Sequence, residues 1–362
     1  MKKWFKPVCF VLPLLLFVAV VNWYVDSYAY LRVTYEQIGS QMIEGQNNVV
    51  GLEESNFNDR NLLLACLEEQ EAREVVVIGS SRVLSFDHEM FETDSFYNAG
   101  MSETTIYDLM AVTGILTKQN TLPQKMVIGV DPFLFNVSTN NEKWKELESY
   151  EQYMEAVLAG AEPTSFQEKN IGRNDNKWLS LDYFRYNVSL LPNRERFLVS
   201  YTKDWEADQY MKHYDGSIAY EKSLREIDAN DVITLTEQSI EEHVVYRLTD
   251  YREIDAVSMD YFTKLLTFLQ GQGVEVILYL PPYSQMMYDY IESDEQFHLV
   301  FQVEDEMQRL AQKMGIALYG SYDPAGSNLE MTDLYDVYHV KAEKMPDTYF
   351  PVYLPQTGIL MR

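Results

Sequence analysis

The stretch Val75-Val76-Val77-Ile78-Gly79-Ser80-Ser81-Arg82 decides the fold. Four consecutive apolar β-branched residues fit a strand buried on both faces, as strands of a parallel sheet are. Gly79 breaks the run, and two hydroxyls and a guanidinium follow. Ligands gather at the carboxyl edge of such a sheet, so a buried strand ending in serine presents a nucleophile where α/β proteins use one. A strand followed by an ordinary polar turn reads the same over these eight residues, and the rest of the chain has to separate the two.

On either side the chain alternates between strand and helix patterns. Phe96-Tyr97-Asn98-Ala99-Gly100 ends a short second strand. Ser102 then caps a helix, with Glu103 near its positive end and Ile106, Leu109, Met110, Thr113 and Leu116 at helical spacing. Met126 to Val130 is a third strand, closed by Asp131-Pro132. Met259 to Gln272 is an amphipathic helix, Val274 to Leu280 a fourth strand ended by Pro281-Pro282, Glu304 to Met314 a helix, and Ile316 to Tyr319 a fifth strand. This order predicts the α/β class: a central parallel five-stranded sheet between two helical layers.

Composition narrows the function. At 46% hydrophobic and 14% aromatic residues, the chain folds. Its formal net charge of −27, from 56 acidic and 29 basic residues, argues against a nucleic-acid partner, whose phosphates it would repel. The two cysteines, Cys9 and Cys66, imply no disulfide framework or cysteine metal site, since Cys9 lies in the apolar N-terminus.

Lys2, Lys3 and Lys6 precede an apolar run that begins at Pro7 and extends through Trp23, Tyr24 and Val25. Residues 7–25 as a helix reach roughly 28 Å, near the hydrocarbon thickness of a bilayer. A cleaved signal peptide would need small residues that Ala19-Val20-Val21-Asn22-Trp23 does not supply. The expectation is a single-pass anchor in the cell membrane, contacting lipid through 7–25, with residues 1–6 cytoplasmic and the main domain extracytoplasmic. Residues 26–72 then read as a juxtamembrane connector whose helix is capped by Asn58 or Asp59, and 73–362 as the main domain. Residues 133 to about 255 interrupt the alternation and read as a largely helical insertion, either a lid or docking surface or a packed elaboration.

In a parallel sheet all carboxyl ends share one rim. Ser80 and Ser81, Asn98 and Gly100, Asp131, Pro281 and Tyr283, and the segment with Asp333, Asp336 and His339 therefore converge. Acyl transfer through serine needs a base, a group to orient it and donors for the oxyanion. Of the five histidines, His88 follows the strand as a loop residue, His213 and His243 lie in the insertion, and His298 sits among apolar residues. His339 has Asp336 three positions ahead on the same rim, spacing at which a carboxylate can hold the imidazole tautomer. Neither His-x-His nor His-Glu-x-x-His spacing nor a phosphate-cradling glycine pattern is present, so no metal or cofactor is expected.

Gly79-Ser80-Ser81-Arg82 and Asp336-x-x-His339 resemble the first and last blocks of the SGNH (GDSL-like) hydrolase superfamily, whose core is flavodoxin-like. With the N-terminal anchor, the chain is similar to the membrane-anchored branch that holds the D-alanyl transfer protein of teichoic-acid modification and the SGNH-type partners of membrane-bound O-acyltransferases. The resemblance covers about residues 73 to 132 and 256 to 345 and leaves the insertion unexplained. It implies Ser81 as nucleophile, His339 as base and Asp336 as its orienter. It also implies three oxyanion donors: the Ser81 amide, Gly100, and an asparagine at the place where this chain has Asp131. An ionised Asp131 would repel an oxyanion, so it is protonated, serves structure, or is replaced as donor by Asn98. Arg82 either binds an anionic substrate group or pairs with a carboxylate. The expected activity is O-acylation or ester hydrolysis on an exported polysaccharide or teichoic-acid-like substrate, with a multi-span membrane-bound O-acyltransferase as partner. A non-catalytic docking role and glycan deacetylation are the alternatives.

Overall fold

Val75–Ile78 forms the buried strand that its β-branched run calls for, and all four side chains are out of contact with water. We call it β1 and number from it Phe96–Asn98 (β2), Lys125–Gly129 (β3), Glu275–Leu280 (β4), Ala317–Gly320 (β5), Pro351–Leu354 (β6) and Ile359–Leu360 (β7). The computed structural model describes residues 5–27, 31–52, 57–136, 141–162, 166–167, 171, 175–248, 250–355 and 359–360.

These strands make one sheet in the order β7-β6-β5-β4-β3-β1-β2. The five strands β2-β1-β3-β4-β5 are mutually parallel, with Val77 opposite both Asn98 and Val127, and Leu278 opposite both Ile128 and Leu318. The strand order reverses between β1 and β3, the place where doubly wound sheets open a crevice beyond their carboxyl ends. The antiparallel β6 and β7 extend the sheet beyond the five strands expected. Helices Ile106–Gln119, Ala256–Gly271 and Leu299–Met314 alternate with the strands, and Leu109, Ile115, Leu265, Leu269, Val303 and Met307 are among their buried residues. The cap of the first is Thr105, not Ser102: Thr105 Oγ1 accepts from the Asp108 amide while the Asp108 carboxylate accepts from Thr105, a reciprocal capping box.

The chain divides into two compact units that cut across the expected division. One holds the sheet: residues 71–168, 215–218 and 222–362. The other joins residues 1–70 to 169–214 and 219–221. Residues 26–72 are thus no bare connector, because Asn48–Val50 pairs antiparallel with Ser200–Thr202 and with Met211–Lys212. Helix Asp59–Glu69, capped by Asn58, buries Leu62, Leu64, Cys66 and Leu67. Nor is 133–255 one insertion, since its middle third folds with the N-terminal unit.

The N-terminal helix runs Phe5–Val25 with Pro13 inside it. Among the described residues no helix is long and apolar enough to cross a membrane, so the structure does not support the expected span over 7–25. Its last turns are claimed by protein: Val18, Val21, Asn22 and Val25 are buried, against helix Leu181–Leu190. Residues 1–4 and the side chains of 5–10, including Lys6 and Cys9, lie outside the described set.

Candidate active site

Ser81 leaves β1 directly into a single 3-10 turn, Ser81–Val83, capped by Ser80 Oγ accepting from the Arg82 amide at 3.2 Å. The turn folds back over the sheet because two strand ends lack side chains. A Cβ on Gly129 would stand 2.5 Å from Val83 Cγ1, and one on Gly79 3.1 Å from Val83 Cγ2, so Val83 fills the room both glycines leave. Val83 is fully buried, whereas Ser81 is partly exposed.

The segment after β5 supplies the other two groups. Leu334 and Val340 bridge antiparallel and close a short loop, with the Tyr335 amide donating to the His339 carbonyl at 2.8 Å. Leu334 and Val340 belong to the same apolar cluster as Val75, Val77, Val83 and Val127, so one core holds both the serine turn and the histidine loop. Inside the loop, Asp336 Oδ1 accepts from the Tyr338 and His339 amides at 2.8 and 2.9 Å.

Three side chains meet in a line. His339 Nε2 lies 2.8 Å from Ser81 Oγ, and His339 Nδ1 lies 2.8 Å from Asp336 Oδ2. A carboxylate only accepts, so Nδ1 carries the hydrogen and Nε2 is left to accept from the serine hydroxyl. Burial alone would raise the Asp336 carboxyl. The facing imidazole, its hydrogen bond and the two backbone amides outweigh that and hold it below the usual carboxylate range.

The residues expected around the oxyanion are used otherwise. Asn98 Nδ2 donates to the Val83 and Phe86 carbonyls at 2.7 and 2.9 Å, and Asn98 Oδ1 accepts the Gly100 amide at 2.9 Å. Asn98 is therefore a brace for the serine turn, and the Gly100 hydrogen is spent on it. Asp131, fully buried, accepts from Arg82 Nη1 at 3.0 Å. Arg82 also donates to the Pro281 and Pro282 carbonyls at 2.8 and 2.5 Å and lies 4.6 Å over the Tyr283 ring. Burial would strip charge from this guanidinium, but Asp131 together with Tyr283 and Tyr279 offsets it and holds the Arg82 pKa above its ordinary value. Arg82 and Asp131 thus tie together the ends of β1, β3 and β4; of the roles left open by the sequence, the structure places both in the frame. The Ser81 amide, first in its turn, has no partner inside that turn.

Two further groups were not picked out from the sequence. The Tyr246 amide donates to Tyr338 Oη at 3.0 Å, and Arg247 pairs with Glu103, so residues 246–247 reach the rim beside His339. Both Glu103 and Arg247 hold left-handed backbone, φ +55° and +58°. Farther along the sheet edge, His88 Nδ1 lies 3.0 Å from Asp215 Oδ2, and Ser217 Oγ donates to Asp215 Oδ1 at 2.6 Å. The hydrogen bond to Asp215 raises the His88 pKa despite burial. Of the other histidines, His213 Nε2 meets the Trp205 carbonyl, His298 Nε2 the Glu292 carbonyl, and His243 Nδ1 the Tyr290 hydroxyl.

No curated protein matches this chain. Residues 9–325 match the family described as a protein of unknown function, DUF1574, and the chain belongs to that family. The matched span contains Ser81 and stops ahead of Asp336 and His339.

Proposed function

We propose that this protein is a serine acyltransferase or esterase of the SGNH type. The observation that carries the reading is the unbroken chain of contacts from Ser81 Oγ through His339 to Asp336. The parallel order β2-β1-β3-β4-β5, with the serine after β1 and the histidine after β5, also supports it by matching the flavodoxin-like core of that superfamily.

In this reading Ser81 Oγ attacks an acyl carbonyl as its proton passes to His339 Nε2, and Asp336 stabilises the imidazolium through Nδ1–H. The tetrahedral intermediate collapses by breaking the bond to the leaving alcohol, which takes the proton from Nε2. An incoming hydroxyl, from a sugar or from water, attacks the acyl-serine as its proton passes to Nε2, and the Ser81–acyl bond then breaks as Nε2 returns that proton to Ser81 Oγ. The Ser81 amide is the oxyanion donor at hand, and the Gly100 amide joins it only by leaving Asn98. One missing donor typically costs about 10²- to 10³-fold in rate. Slow hydrolysis with transfer to a bound acceptor, the polysaccharide or teichoic-acid-like hydroxyl expected from the sequence, is compatible with that cost, as is a site without chemistry. Attachment to a bilayer through the N-terminal helix, with the catalytic unit outside the cytoplasm and a membrane-bound O-acyltransferase as donor partner, belongs to the same proposal. Exposed Val11, Leu12, Leu14, Leu16, Phe17 and Val20 support the attachment.

The spent Asn98 and Gly100 groups favour a second reading, a docking partner that kept the fold without the chemistry. Reaction with a fluorophosphonate probe and hydrolysis of p-nitrophenyl acetate decide between them. Labelling at Ser81 that disappears in Ser81→Ala and in His339→Ala is the expected result. An unlabelled wild-type protein with no ester turnover sinks the enzymatic reading.

A further inference from the structure

Helix Leu181–Leu190 is built inside out for a protein surrounded by water. Its buried side is polar: Tyr183 Oη donates to Asp26 Oδ1 at 2.9 Å, and Asn187 accepts from Ser27 Oγ at 2.7 Å while donating to Asn22 Oδ1 at 3.2 Å. Asn22 Nδ2 in turn faces the carbonyls of Lys177, Trp178 and Ser180 at 3.0 to 3.1 Å. The stripe Leu181, Phe184, Val188 and Leu191 is apolar, yet Leu181 is 60% exposed, Val188 40% and Leu191 39%. A helix of a water-soluble domain turns those two sides the other way.

The neighbouring N-terminal helix continues the same surface, with the Phe17 ring edge-on to Phe184 at 5.8 Å. Where that surface ends, Arg32 and Arg194 both donate to the Tyr24 carbonyl and lie over the Trp23 and Tyr24 rings. Amphipathic rings beside snorkelling cations are what a headgroup layer favours. Charge agrees: residues 171–197 hold five basic and three acidic side chains in a chain of net charge −27. That local excess suits an anionic lipid surface better than a second copy of so acidic a chain.

We propose that Leu179 to Leu191 is a second lipid-contacting element. It lies in the interfacial layer of the bilayer beside the N-terminal helix and is latched to it by the buried Asn22, Asn187, Tyr183 and Asp26 groups. The inference rests on the membrane attachment proposed above and is independent of the chemistry at Ser81.

The test uses the full chain in a cysteine-free background (Cys9→Ser, Cys66→Ala), with single cysteines placed at 181 or 188 on the apolar stripe and at 182 or 189 on the polar one. All four positions are exposed, so the latch is left intact. A fluorophore on each cysteine is read in phosphatidylethanolamine/phosphatidylglycerol vesicles against nitroxide-bearing acyl chains and against aqueous iodide. We expect nitroxide quenching at 181 and 188 to exceed that at 182 and 189 by at least about threefold, with iodide showing the reverse. Equal iodide access at all four positions overturns the proposal. Protection of 181 and 188 from both quenchers also overturns it, because protein then covers the face. A label at Leu14→Cys separates the failures: lipid quenching there but not at 188 sinks this inference alone, and quenching at neither sinks the attachment.

Discussion

Two groups of serine, histidine and aspartate sit in the sheet-bearing unit, and they are wired in opposite orders. At the rim, imidazole is in the middle: His339 touches the Ser81 hydroxyl with one nitrogen and Asp336 with the other. At the sheet edge, carboxylate is in the middle: Asp215 takes Ser217 on one oxygen and His88 on the other. A serine that donates to a buried carboxylate has no base to receive its proton near neutral pH, so the second group can only hold things together. What it holds is residues 215–218 against the edge strand, where the Asn98 amide donates to the Asp215 carbonyl at 2.7 Å. The same three residue types therefore give a proton path or a clasp, according to which one is central.

The contrast breaks most visibly on the two serines. Ser81→Ala is expected to lower ester turnover by about 10⁴-fold or more and Ser217→Ala by less than about threefold, measured as initial rates on p-nitrophenyl acetate. Equal losses would erase the distinction. Asp336→Asn should cost about 10³- to 10⁴-fold in the same assay, because the imidazole loses its orienter, with a smaller drop in unfolding midpoint than Asp215→Asn. Asp215→Asn should do the opposite, keeping the rate within tenfold while removing about 1–3 kcal/mol of stability in urea titrations. The smallest effect is in pH. The His88 pKa is raised in the folded state, so its contribution to stability is complete below its unfolded value near 6.5 and fades as pH rises through the folded value. The Asp336 pKa is lowered, so its contribution is present above about pH 4 and lost only as pH falls through the folded value. Urea midpoints from pH 3 to 9 should show the His88→Gln deficit shrinking only on the alkaline side, as pH rises past the folded His88 value, and the Asp336→Asn deficit shrinking only on the acid side, below about pH 4, with both present in between. A His88→Gln deficit that persists unchanged to pH 9, or an Asp336→Asn deficit that grows as pH falls below about 4, would count against the assignment.

Much of the sheet was legible because it is written in local pattern. The β-branched run gives β1 its bounds, 75 to 78, and each later parallel strand lies within two residues of its expected bounds. The pairing of Asp336 with His339 was legible too, since both ends of the contact lie in one short loop. What stayed hidden depends on distant partners. Asn48–Val50 offers only two apolar residues, and its pairing with Ser200–Thr202 spans some 150 positions. Strand β6 opens on Pro351, a residue that argues against a strand unless it stands at the first position. Asp131 looked like a fault at the oxyanion site because nothing in the sequence ties it to Arg82, 49 positions away. Asn98 and Gly100 had the right places, but only the folded chain shows the Asn98 donor spent on the Val83 and Phe86 carbonyls and the Gly100 amide spent on Asn98.

The hollow shared by Gly79 and Gly129 means that the nucleophile is aimed by volume as well as by the hydrogen bonds that brace its turn. Val83 works as a pin in a slot, and the hydroxyl two residues earlier points wherever the pin seats. A methyl added at 129 would unseat it, while shortening the pin to alanine would make room for that methyl. The two changes together should therefore be milder than the glycine change by itself, and a lineage could re-aim its serine by such exchanges without altering a single reactive group.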